Sequence, residues 1–124
     1  YIKMDYNIEP GIGTEINAES FGQGLLEHEK AYLNWIDGVF KKYPDLVIEN
    51  CSSGGLRIDY ALLSRYSIQS TSDQEDYRNY ATIAANSAAG VTPEQAAIWS
   101  YPMRQGNKEE VIYNMINLQV LQVP

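Results

Sequence analysis

Short apolar runs that end in polar residues alternate along this chain with longer segments whose apolar positions recur every three to four residues. Residues 1–7 (YIKMDYN) predict a strand, and residues 8–24, which contain glycine and sustain no period, predict a long loop. From 27 to 42, Tyr32, Leu33, Trp35, Ile36, Val39 and Phe40 follow the spacing of one helical face, and Pro44 stops the pattern. LVIEN (46–50) suits a strand buried on both faces, and it runs straight into CSSGG (51–55). Residues 57–66 predict a short helix, SIQSTSD (67–73) a strand with an acidic tip, and 74–89 an Ala-rich helix ending at Gly90. After Pro93, AAIWS (96–100) predicts a last strand, and Asn107 with Glu110 gives a capping-box-like start to a helix through about residue 119.

This alternation predicts βα units and an α/β fold with a parallel sheet, either open and doubly wound or part of a (β/α)8 barrel. A barrel needs eight units, typically in about 250 residues. On that reading the 124 residues form one piece of a single catalytic barrel domain, roughly its second half, about strands 4 to 7 with their helices. The chain starts with Tyr1 inside a strand, so it is expected to be an excised piece of a longer protein.

Composition narrows the partners. A net charge of −7 with nine scattered Lys and Arg argues against nucleic acid, which needs clustered cations. No apolar run approaches the ~20 residues of a membrane span, and the N-terminus lacks the features of a signal peptide. A single cysteine, Cys51, demands no oxidising compartment, and the expectation is a cytoplasmic protein. With one His and one Cys at no paired spacing, neither a metal nor a cofactor is expected. Most of the ten tyrosines and two tryptophans are expected in the core, although such rings also stack on sugars.

Polar residues gather where strands end: Asp5 and Asn7 after the first, Glu49, Asn50 and Cys51 after the second, Ser72 and Asp73 after the third. In α/β barrels that rim builds the active site. Carboxylates there without a histidine cluster point to acid/base or glycosidic chemistry, and the retaining geometry sets the two carboxyls about 5–5.5 Å apart. Lys3 should share a strand face with Asp5, where an ammonium could donate to a sugar hydroxyl. Spacing alone equally fits Asp5 and Asp73 as turn acids or helix caps.

Three strings, in order, carry a family resemblance. YIKMDYN resembles the K-W-D-x-N nucleophile motif of glycoside hydrolase family 36, the bacterial α-galactosidases; ENCSSGGLRID resembles its C-x-S-G-G-x-R-x-D motif, and STSDQED its T-S-D-x-x-D acid/base motif. The likeness covers roughly residues 1–90. It implies a retaining hydrolase of terminal α-linked galactose, with Asp5 as nucleophile and Asp73 as acid/base. It further implies Lys3, Met4, Tyr6, Asn7 and Cys51 around the sugar, with Arg57 and Asp59 paired to fix the loop after Cys51. The family's Trp before the nucleophile is Met4 here, and its frequent Arg after the Asn is Ile8, so a different α-glycoside or transfer to a sugar acceptor is the alternative. A non-catalytic, self-associating barrel fragment is a further one, since open sheet edges invite a second copy. His28 reads as a surface or capping residue, Glu49 as a group that orients a neighbour, and Asp76 as an acid at a helix start.

Overall fold

The computed structural model describes residues 1–99, 104 and 106–120, the last five by their backbone alone. They fall into two compact units, residues 1–6 with those from 47 onward, and residues 7–46.

The first unit is an α/β fold on a four-stranded, all-parallel sheet in sequential order: β1 (Ile2–Asp5), β2 (Ile48–Cys51), β3 (Ile68–Ser70) and β4 (Ala96–Ala97). Each predicted strand forms, shorter than its apolar run, and Ser100 of the last lies outside the described residues. In β1 and β2 the register sets Lys3 against Glu49 and Asp5 against Cys51; Glu49 in turn faces Ile68, and Ser70 faces Ala97. Since side chains alternate, Lys3, Asp5, Glu49, Cys51 and Ser70 share one face of the sheet, while Met4, Asn50 and Gln69 share the other.

All four β2 residues are buried, Glu49 and Asn50 included, so the strand is covered on both faces although only Ile48 of the apolar run in LVIEN lies within it. Ile48, Leu62, Tyr66, Tyr80, Ala84 and Val91 form the apolar core of this unit. The helix predicted over 57–66 is a single turn, α1 (Tyr60–Leu63), capped by Asp59, whose carboxylate accepts from Leu62 N–H at 2.9 Å. Gln95 bonds the strand that follows to this turn, its amide donating to the Leu63 and Tyr66 carbonyls at 2.7 and 3.0 Å.

Helix α2 (Tyr77–Ser87) is capped by Asp76, which accepts from the N–H groups of Arg78 and Asn79, both at 3.0 Å. Helix α3 (Lys108–Val120) begins as its sequence signal predicts, with Glu110 N–H donating to Asn107 Oδ1 at 2.9 Å. The two helices meet edge to face at Tyr77 and Tyr113, with ring centroids 5.4 Å apart, and through Arg78 and Glu109 at 3.0 Å.

The second unit holds a short 3-10 turn (Gly11–Glu15) inside the predicted loop and one long helix (Gln23–Lys42), which starts four residues earlier than its apolar face implies. Glu15 explains the earlier start. The helix has no side-chain cap at Gly22, and the Glu15 carboxylate accepts instead from Gly22 and Leu25 N–H groups at 2.9 Å each. The bond from Leu25 foremost, with those from Gly22 and its neighbours, holds Glu15 below its ordinary value against the opposing effect of desolvation. No described helix is long and apolar enough to cross a membrane.

Candidate active site

The site grows from the C-terminal ends of β1, β2 and β3, and hydrogen bonds tie the three ends together. Beyond Asp5, Tyr6 N–H donates to the Cys51 carbonyl at 2.8 Å, extending the strand pairing by one residue. The Tyr6 carbonyl accepts from Ser52 Oγ at 2.6 Å and from Arg57 Nε at 3.1 Å, while the Arg57 guanidinium lies 4.2 Å from the centre of the Tyr6 ring. Arg57 therefore clamps the end of β1, and Asp59 is used as a helix cap. Both fix the loop after Cys51, by separate contacts.

The loop 52–55 turns through Ser53 and Gly54, both with left-handed backbone (φ 41° and 76°). It lies hard against the end of β3. A Cβ on Gly54 would stand 2.6 Å from the Asp73 nitrogen and from Ser72 Cα, and one on Gly55 would stand 2.5 Å from the Thr71 carbonyl oxygen. The paired glycines of CSSGG thus have a steric cause: two loops approach until no side chain fits between their backbones.

Asp5 and Asp73 are both exposed, at the ends of β1 and of the segment leaving β3. Cys51 is 1% exposed, next to Asp5 in register. Burial pushes its thiol above its ordinary value; hydrogen bonding to the Asp5 side chain pushes the same way, and contacts to Ser70 and the Gly54 backbone, with the charge of Lys3, oppose it. By register, Cys51 lies beside Asp5, with Lys3 and Ser70 on the same sheet face. Tyr80 is buried with its hydroxyl hydrogen-bonded to the Thr71 side chain, and that hydroxyl accepts from the Trp99 N–H at 2.6 Å. Burial raises its hydroxyl, those two bonds resist, and the charge of Asp73 adds to the rise.

Of the residues expected around the sugar, Lys3, Asp5 and Cys51 lie together on one sheet face, and Tyr6 is anchored just beyond. Met4 falls on the opposite face from Asp5, where its sulfur accepts from the Tyr66 hydroxyl at 4.0 Å, because neighbours in a strand point to opposite sides. Asn7 is exposed and opens the second unit.

Sequence reasoning overlooked Ser70 and Trp99. Ser70 is fully buried, donates to Glu49 Oε1 at 2.6 Å and accepts from Trp99 Nε1 at 3.1 Å; Lys3 Nζ stands 4.4 Å from the Trp99 ring centre. Period two counted back from Ser72 marks Ser70, but only strand register shows that it neighbours Cys51. Among the described residues no group of three or more His, Cys, Asp or Glu is placed to hold a metal ion. Comparison of the chain with family models, with curated proteins and with solved structures gives no match.

Proposed function

We propose that the sheet is one arc of a (β/α)8 barrel whose rim carries retaining hydrolysis of α-galactosides, with Asp5 as nucleophile and Asp73 as acid/base. The observation that carries this reading is the joining of three strand ends: Tyr6 to Cys51, Ser52 and Arg57, and Gly54 to the backbone of Ser72 and Asp73. Two exposed carboxylates thereby belong to one rim, in three strings that resemble the family's motifs. A sequential, all-parallel sheet is the order that a barrel arc requires.

In the first step an Asp5 oxygen bonds to the anomeric carbon as the glycosidic C–O bond breaks, and Asp73 gives its proton to the departing oxygen. In the second, Asp73 takes a proton from water as that water's oxygen attacks the anomeric carbon and releases Asp5. Lys3 and, by the resemblance, Asn7 hold sugar hydroxyls, Cys51 lines the pocket, and Tyr6 anchors the strand end. Met4 supports β1 from behind. Intercepting the intermediate with a sugar hydroxyl instead of water gives transfer, which added sucrose or raffinose reveals as a new trisaccharide or larger product.

An activated 2-deoxy-2-fluoro galactoside tests the assignment by trapping the intermediate. Mass spectrometry is expected to find the added sugar on the peptide holding Asp5; a label elsewhere, or none from an enzyme that turns over galactosides, overturns it. Asp73→Ala should slow substrates with poor leaving groups while sparing the first step on activated aryl galactosides. Equal loss on both removes Asp73 from the role.

The edge strand β1 favours a second reading for the isolated polypeptide. Tyr1 and Ile2 are 70% and 47% exposed along an open sheet edge, which a second copy could cover. Light scattering decides this, and a monomer removes it.

A further inference from the structure

Behind the exposed acids, the same sheet face carries a buried polar chain that the proposed chemistry does not use. Glu49 is 1% exposed, and both its oxygens accept: Oε1 from Ser70 Oγ at 2.6 Å and Oε2 from the Tyr1 hydroxyl. Ser70 has one hydroxyl proton, and this bond directs it to Glu49, leaving the oxygen's lone pairs to receive Trp99 Nε1–H at 3.1 Å. Trp99 is gripped again through its backbone, whose N–H donates to the buried Tyr80 hydroxyl. Ring edge and backbone are both fixed, so the indole has a defined plane.

Lys3 Nζ lies 4.4 Å from the centre of that ring, within cation–π range. A lysine side chain has a flexible four-carbon stem, and an exposed one ordinarily samples many rotamers. Here the indole gives the ammonium one preferred position, on the face shared by Asp5 and Cys51. Lys3 is also the register partner of Glu49, an opposite-charge pair across two strands.

We infer that Glu49 is a positioning residue: through Ser70 and Trp99 it holds the Lys3 ammonium beside Asp5 and Cys51, where the sugar hydroxyls would bind. Burying a carboxyl group is costly unless every oxygen is satisfied, and an apolar residue of similar size would serve the core as well or better. What an apolar residue could not do is orient Ser70, and through it the indole. The consequence for catalysis rests on the hydrolase reading; the positioning itself does not.

NMR on the 124-residue chain reads the positioning directly. The Lys3 ε-methylene protons should be shifted upfield by the Trp99 ring, and Trp99→Leu should abolish that shift. Ser70→Ala and Glu49→Gln should each move both the Trp99 indole N–H resonance and the Lys3 ε-methylene towards solvent-exposed values, leaving the Trp35 indole unchanged. Trp99→Phe keeps a ring, leaves the buried carboxyl untouched and removes only the N–H, so it covers the case in which the buried variants do not fold. It should retain part of the Lys3 shift. A Lys3 resonance unmoved in Trp99→Phe and in whichever buried variants fold overturns the inference.

In a turning-over enzyme, Trp99→Phe should lower kcat/KM for an aryl α-galactoside roughly fivefold, chiefly through KM, and add nothing in a Lys3→Met background. Additive losses overturn the coupling through Lys3. A wild-type enzyme without turnover sinks the hydrolase reading alone, since the NMR result stands or falls without it.

Discussion

β1 and β2 pair residue for residue, yet they treat their polar groups in opposite ways. On β2, Glu49 and Asn50 are each 1% exposed; Glu49 is tied to Tyr1 and Ser70, and the Asn50 amide donates to Gln69 Oε1 at 2.7 Å and to the Arg57 carbonyl at 3.0 Å. On β1, Lys3 and Asp5 are exposed. Two carboxyl groups on one sheet face thus have different fates. Glu49 is consumed by its neighbours and shapes the fold, whereas Asp5 is presented to whatever approaches the rim. Charge near a candidate site is not enough to name a reacting group; the strand that holds it decides.

The widest separation between the strands comes from replacing each acid by alanine. On the proposed hydrolase reading, Asp5→Ala in the full-length parent should abolish turnover of an aryl α-galactoside, a loss on the order of 10⁴-fold or more, while the stability to urea stays within about 0.5 kcal/mol of wild type. Glu49→Ala should do the reverse, costing about 3 kcal/mol because the fully buried Ser70 hydroxyl loses its acceptor and a cavity is left in the sheet face. Urea titrations beside initial rates check both. An Asp5→Ala protein that unfolds as readily as Glu49→Ala would erase the distinction.

The next effect lies where the β2 loop meets the end of β3. Gly54→Ala meets both a left-handed backbone and the Asp73 nitrogen at 2.6 Å, with backbone on the other side that cannot swing away as a side chain could. The expected cost is about 2–3 kcal/mol, read by thermal or urea unfolding. Gly13→Ala is the control, since nothing lies within 4 Å of its added Cβ and its backbone is not left-handed. Equal costs at the two positions would mean that the loops do not touch.

Cys51 gives a smaller, pH-dependent signal. Its thiol is raised in the folded state above the ordinary value of 9.0, so the folded protein holds a proton that the unfolded chain releases first. The stabilisation is full below pH 9, and declines as pH rises through the ordinary value and on to the raised one. Unfolding measured from pH 7 to 10 should therefore fall less steeply in Cys51→Ala than in wild type. Parallel curves would show that burial does not govern the thiol.

The order of elements was legible because most strands and helices carry a local signal: β2 through the apolar residues that lead into it, α2 through its Ala-rich segment ending at Gly90, and α3 through the capping signal at Asn107. The parallel α/β class followed from that order. Register was not legible, since no local pattern sets Lys3 against Glu49 or Ser70 beside Cys51. The side of the strand that Met4 takes follows for a related reason: adjacency to Asp5 in sequence puts a residue on the other face. Trp99 read as core filler, and its second use appears only once Ser70 and Lys3 are brought to it. The glycine pair Gly54–Gly55 was visible as a motif, and the backbone it packs against was not.

The smallest effect concerns Asp76, the second aspartate of TSDQED. Its carboxylate accepts from the Arg78 and Asn79 N–H groups at the start of α2, three residues beyond Asp73. A cap works through a side-chain oxygen, and Asn supplies one as well as Asp does. Asp76→Ala should therefore cost about 1 kcal/mol, and Asp76→Asn only a few tenths, the remainder being the interaction of the lost charge with the helix dipole. If Asp76 also set the charge at Asp73, the two variants would instead, on the proposed hydrolase reading, shift the alkaline limb of the pH–rate profile equally, because both remove the carboxylate. A cap that acts only on the helix leaves that limb in place for Asn and makes stability, not pH dependence, follow the side-chain oxygen. Urea unfolding of both variants, with a pH–rate profile for each, separates a helix-capping acid from one that tunes the exposed acid upstream of it.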